Sequence, residues 1–229
     1  MPSADPDPLD PPQLDPAQRG MLLALARQSI EHGLDQGCPL PVVPSDYPTD
    51  LRVRRATFVT LHTRRVSQQP LSRRERGWGE GDEGRRSMPF ATSSTRGELR
   101  GCIGHLEAVQ PLVSDVAENA FAAAFRDPRF QSLTRPELAR IAIELSVLTP
   151  SQPLSFAPEA ELLRMLEPGR DGLILEEGAA RGTFLPTVWD SLPEPRTFLR
   201  HLKQKAGLRP DHWSDRVRVR RYRTESFSE

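Results

Sequence analysis

Of the two cysteines in this chain, Cys102 is the one set among groups that could alter its chemistry. It lies in "GELRGCIGHLE", residues 97 to 107, with Arg100 two positions before it, glycines at 101 and 104, and His105 three positions after it. Side chains alternate across a strand, so Glu98, Arg100 and Cys102 share one face, with Leu99, Gly101 and Ile103 on the other. A guanidinium beside a thiol favours thiolate. Cys102 is therefore a candidate nucleophile or acid/base, with Arg100 lowering its pKa or gripping a substrate carboxylate or phosphate. Gly101 and Gly104 would let a ligand come close to the backbone. His105 can join as a base only if the chain turns after Gly104. The competing reading is equally physical: an unpaired cysteine in an apolar strand behaves as a small buried hydrophobe.

Other groups are weighed the same way. In "AFRDPRF", Arg126, Asp127 and Arg129 form either a helix stop with local ion pairs, anchored by Phe130, or an anion-binding rim beside the cysteine face. His32, His62, His201 and His212 are scattered, with no H-x-x-x-H or C-x-x-C spacing, so no metal site is expected. "GRDGLILEEGAARG" lacks the spacing of a nucleotide cradle, and no C-x-x-x-C-x-x-C run is present, so no cofactor is expected. "RVRVRRYR" alternates Val217 and Val219 with Arg216, Arg218 and Arg220, the pattern of a strand with one solvated face. Lys and Arg (31) balance Asp and Glu (31), so neither nucleic acid nor a membrane surface is an expected partner.

These residues need elements to hold them. Ten of the 23 prolines fall in the first 50 positions, and residues 1 to 15 are expected to form a disordered, acidic tail in which little can be buried. Met21, Leu22, Leu25, Ala26 and Ile30 recur at helical spacing, which predicts a helix over 16–32 ending near Gly33. "RATFVTLH" alternates as a strand, and residues 56–62 and 97–104 are expected to pair as a hairpin. Between them, residues 65 to 95 carry many arginines and glycines and no apolar period, so they read as an exposed, disordered insertion.

Leu112, Val113, Val116, Ala120, Phe121 and Ala124 predict a helix, and Ile141, Ile143, Leu145 and Val147 one face of a strand. A helix at 158–167, a strand pair around "DGLILEEGAARGTFL", a helix at 194–206 and a final strand through "RVRVRRYRTESF" complete the order. Strands and helices intersperse without βαβ regularity, which predicts an α+β fold with mixed or antiparallel pairing, in one domain over 16–229. A chain with 37% hydrophobic and 27% charged residues can bury a substantial core. Two cysteines in unlike contexts, no basic leader and no long apolar run make the cytoplasm the expected compartment.

The ordered blocks "FVTL", "LRGCIG", "DPRF", "IAIELSVLTP", "GRDGLILEEG" and "FLRHLKQKAGL" resemble the AMMECR domain family, including its bacterial members in the AmmeMemoRadiSam system. The likeness extends over about residues 18 to 228 apart from the insertion, which the family lacks and which looks like a translated bacterial intergenic repeat. It implies a two-lobed fold, with a larger lobe from both chain ends, a smaller one from the middle, and the hexapeptide Leu99 to Gly104 beside the cleft between them. The matching positions are Arg100, Gly101, Cys102 and Gly104, then Asp127, Pro128 and Phe130, then Lys205. It further implies Memo-type and radical-SAM proteins as partners. Two functions follow as expectations. One is an enzyme using Cys102 and Arg100 on a small or peptide-like substrate that Gly101, Gly104, Arg126, Asp127 and Lys205 help to bind. The other is a non-catalytic protein- or peptide-binding module built on the same cleft.

Overall fold

The computed structural model describes Leu9 and residues 13–64 and 97–229. The expected insertion and most of the expected tail therefore lie outside the described residues. In chain order the elements are α1 (Pro16–Gln36), α2 (Thr49–Arg52), β1 (Thr57–Thr63), β2 (Leu99–Gly104), α3 (Leu112–Phe125), α4 (Arg135–Leu138), β3 (Ile141–Leu148), β4 (Gln152–Pro153), α5 (Glu159–Met165), β5 (Gly172–Glu177), β6 (Ala180–Phe184), α6 (Pro195–Lys205), β7 (Arg218–Tyr222) and β8 (Thr224–Ser228).

α1 starts where the sequence puts it. The Asp15 carboxylate accepts the Gln18 N–H (2.8 Å) and the Gln18 side chain accepts the Asp15 N–H (2.9 Å), closing a capping box ahead of Pro16. Just before it, Leu14 is buried and its N–H donates to both Glu225 carboxylate oxygens (3.1 and 3.0 Å). Leu9 is buried too, so the proline-rich start does contribute leucines to the core, against expectation. α1 also runs a turn beyond its expected stop. Gly33 lies inside the helix, where a Cβ would stand 2.5 Å from the Phe125 ring and 2.6 Å from that of Phe121. That glycine lets α1 press on α3, and the terminator is Gly37 at φ 72°. Met21, expected on the apolar face, is exposed.

β1 and β2 form the expected antiparallel hairpin, and β3 and β8 extend it into a sheet of order β2-β1-β3-β8. One face, with Val59, Leu61, Ile143 and Leu145, packs on Leu25 and Ile30 of α1 and Val116 and Ala120 of α3. A second antiparallel sheet, β4-β7-β5-β6, packs Leu173 and Leu175 against Leu162 of α5 and Phe198, Leu199 and Leu202 of α6. There Trp189 stacks on Phe198 with ring centroids 3.8 Å apart.

The C-terminal run expected as one strand is two. β7 and β8 belong to different sheets, and Arg223 alone separates them. The Arg223 N–H donates to Thr149 Oγ1 (2.9 Å), and its carbonyl accepts the Thr149 N–H (2.9 Å), beside the other crossing between layers, after β3. Its buried guanidinium grips both Glu167 oxygens (3.2 and 3.1 Å). The alternation that buries Val217 and Val219 slips at Arg220–Arg221, so that Tyr222 is the next buried side chain, ahead of Arg223 and Glu225. Ala56, Leu148, Ile174 and Tyr222 join the layers through a small common core. The result is an α+β architecture of two sheet-and-helix lobes, the larger drawing on both ends of the chain.

Candidate functional site

A cleft of about 560 Å³ opens between the end of β2 and the outer strand β6. Phe58, Leu106 and Val109 make part of its wall apolar, and His105, Glu107, Arg181, Thr183 and Lys205 supply polar groups.

Cys102 lies beside this cleft, half-buried on β2 directly across from Thr60 of β1, whose hydroxyl donates to Cys102 Sγ (3.3 Å). β2 is the outer strand of its sheet, and the outward N–H of Cys102 donates to Asp127 Oδ2 (2.8 Å). Arg129 Nη2 reaches the Cys102 carbonyl (3.3 Å) and, with Nε, holds Asp127 (2.7 and 2.9 Å). The "DPRF" turn thus blunts an exposed strand edge. Arg129, with these hydrogen bonds, holds the Asp127 carboxyl down at about 2. The local-pair reading of this segment is realised: Asp127 and Arg129 pair, and they do so against the cysteine backbone.

Four expected roles change. Arg100 does not serve the thiol: its Nε and Nη2 bind Glu137 (2.8 and 3.3 Å), and Nη2 donates also to the Gln131 carbonyl (3.0 Å). The register shift between Leu61 and His62 in the pairing of β1 with β2 falls opposite this residue, and the chain tethers β2 to the α4 turn through it. Glu137 is correspondingly held down at about 2, chiefly by Arg100. Gly101 admits a helix rather than a ligand, because a Cβ there would lie 2.2 Å from the Ala123 carbonyl oxygen of α3. Gly104 does line the cleft, but the space over it is taken by Phe58, 2.4 Å from where a Cβ would stand. Arg126 points elsewhere: its guanidinium lies 4.8 Å from the Phe121 ring centroid, and that ring packs on Gly33 of α1.

Lys205 is brought to the site. It is exposed as a residue, yet its ammonium lies 5.1 Å from the Phe184 ring centroid and lines the cleft. Desolvation lowers its pKa, the Cys102 thiolate opposes that shift, and Arg129 adds to it. Burial pushes the Cys102 thiol up, against the Thr60 hydrogen bond and the positive charges of Arg129 and Lys205, with Asp127 adding to the rise. The expected low-pKa thiolate is therefore corrected to a thiol protonated at neutral pH. Desolvation outweighs the cations, and Arg100 is not among them.

Sequence reasoning overlooked Thr60 and Arg181 and discounted His105. Thr60 becomes legible once the hairpin register is known, since it is the cross-strand partner of Cys102. His105 sits on the cleft with Nδ1 3.6 Å from Oδ1 of Asp115. That carboxylate is fully buried at the start of α3 and accepts the Thr57 N–H (2.9 Å), the Thr57 hydroxyl (2.6 Å) and the Asn119 amide (2.9 Å). Among the described residues no cluster of His, Cys, Asp and Glu is arranged to hold a metal ion, and no helix is long and apolar enough to cross a membrane.

The family model described as AMMECR1 matches residues 23–227. A protein of Thermofilum pendens is 36% identical over 223 residues, covering 95% of this chain and 92% of that one. A protein of Methanothermobacter thermautotrophicus is 36% identical over 214 residues, covering 91% and 92%. The crystal structure of the uncharacterized protein PH0010 from Pyrococcus horikoshii superposes with a TM-score of 0.72 at 32% identity, over 91% of this chain and 90% of that one. These relatives are archaeal, so they lend nothing to the bacterial setting expected from the sequence. With one family matching nearly end to end in sequence and the fold agreeing, this chain belongs to the AMMECR1 family.

Proposed function

We propose that this chain is a cysteine-dependent enzyme working in the interlobe cleft, with Lys205 as the proton partner of Cys102. The observation that carries the reading is the opposed perturbation of the two groups: the same crowding raises the thiol and lowers the ammonium, while each charged form stabilises the other. Both shifts work against the separated charges while the attraction between thiolate and ammonium works for them, so Lys205 is the group placed to exchange a proton with Cys102 as it turns from thiol to nucleophile. Thr60 steadies Sγ in either state. The substrate is small or peptide-like, and the Memo-type and radical-SAM proteins implied by the family resemblance are its proposed partners in one pathway.

The test is the pH dependence of alkylation at Cys102 and Cys38, read separately by mass spectrometry on the native protein. Cys102 should react with a midpoint above the ordinary thiol value of about 8.5. Lys205→Met should raise that midpoint further, and Arg100→Ala should leave it in place. A midpoint indifferent to Lys205→Met would sink the pairing. A Cys102 inert until the protein unfolds would leave the second reading, a binding module, which the apolar wall of Phe58, Leu106 and Val109 favours.

A further inference from the structure

We propose that the cleft and an adjoining recess form one groove that binds an extended acidic peptide segment. This rests on the reading of the cleft as a substrate site and supplies its substrate class. The recess, about 250 Å³, shares Leu106 and Glu107 with the cleft, so the two adjoin at these residues. Arg54, Arg55 and Arg220 line the recess, and Arg181 and Lys205 line the cleft.

Five cations thus face a groove whose linings contain a single carboxylate, Glu107, in a chain of zero formal net charge. Glu107 itself spans the opening to Arg181 at 3.5 Å with 73% of its side chain exposed, while Arg181 Nε also pairs with Glu176 at 3.0 Å on the neighbouring strand. An ion pair that exposed contributes little, so a ligand carboxylate can take its place. Among the described residues, neither Arg54 nor Arg55 has a carboxylate within ion-pair distance. Arg220 is oriented by Ser151, whose hydroxyl and carbonyl accept from Nε (2.9 Å) and Nη2 (2.8 Å).

Two features favour a peptide over a nucleic acid. β6 is the outer strand of its sheet, and Arg181, Gly182 and Thr183 of that strand line the cleft, so an extended chain can add to it through backbone hydrogen bonds. Alternate side chains of such a peptide would fall toward the arginines and onto Leu106 and Val109. Base stacking, by contrast, needs free aromatic faces. Of the two aromatic rings in the linings, Phe58 is packed over Gly104 and the His105 imidazole is drawn toward Asp115, 3.6 Å away.

The test is fluorescence anisotropy with a labelled peptide alternating glutamate and leucine, set against its glutamine counterpart and an oligothymidylate of equal charge. The acidic peptide should bind saturably, weaken as salt rises from about 50 to about 300 mM, and lose about ten-fold in affinity to Arg54→Glu/Arg55→Glu. Circular dichroism, and the milder Arg54→Gln/Arg55→Gln, guard against a folding defect. Equal binding of the glutamine peptide, no effect of the arginine changes, or tighter binding of the oligonucleotide would overturn the proposal. Repeating the titration in Cys102→Ser separates the two readings, since ligand class is then read without the thiol.

Discussion

Gly101→Ala isolates what the central glycine of the hexapeptide does. A Cβ at 101 would lie 2.2 Å from the Ala123 carbonyl oxygen and 3.1 Å from its carbon. A carbon and a carbonyl oxygen rest at about 3.3 Å or more, so β2 and α3 must part by about 1 Å. The obstacle is backbone, and Ala123 and Ala124 on that stretch of helix are both buried, so no flexible side chain can absorb the strain. A radial gap of that size forfeits about a quarter to a half of the dispersion energy of the contacts it opens. Overpacking costs about 1–3 kcal/mol, and a rigid obstacle puts this site at about 3. For a chain of this length that is about 6–12 °C in Tm. Calorimetric melts should be run beside Gly20→Ala, whose added Cβ meets nothing within 4 Å on exposed helix and which should gain up to about 1 kcal/mol. A Gly101→Ala protein melting with the wild type would refute the packing role and return this glycine to the ligand.

Asp127 gives a pH prediction. Its folded pKa, about 2, is below the unfolded value, so its contribution of about 2 kcal/mol is complete above about pH 4 and is lost as pH falls through about 2. In urea melts the gap between wild type and Asp127→Asn should narrow from pH 7 to pH 3; a constant gap would contradict the ion pair with Arg129. Lys203 is buried at 1% side-chain exposure, with Nζ 2.9 Å from Glu159 and 5.2 Å from the Trp213 ring centroid. Glu159→Gln, which strands the ammonium, should cost about 3 kcal/mol, whereas the volume-conserving Lys203→Met should cost about 1 or less. Chemical denaturation of both variants in the reverse order would rule out a buried charge there.

The elements were largely written in local periodicity. Ile141, Ile143, Leu145 and Val147 alternate into one buried face, and the apolar positions expected for α3 are all buried. What the sequence concealed depends on distant partners. Gly33 looks like a helix stop until Phe121 and Phe125 pack against it, and Arg223 looks like one more strand arginine until Thr149 binds its backbone. The site divided along the same line. Cys102 and Lys205 were singled out by residue type and family pattern, and in the fold each lies within reach of the other's charge. Arg100 was misassigned because adjacency along a strand says nothing about a competing carboxylate, here Glu137, 37 positions away. Thr60 needed the register, and Arg181 needed the second lobe.

The crossing at Arg223 has a bearing on how any ligand is received. Domain closure requires a few residues free to swing through large backbone rotations. Here the connection from β7 to β8 is one residue long, its N–H and C=O are both tied to Thr149 on the neighbouring crossing, and its guanidinium is clamped by Glu167. These contacts pin the two lobes together at the crossing and work against a hinge there. A guest meets a shape set during folding, with little reorganisation left to oppose association. Its own surface, more than a closing jaw, must then complement the cleft beside Cys102.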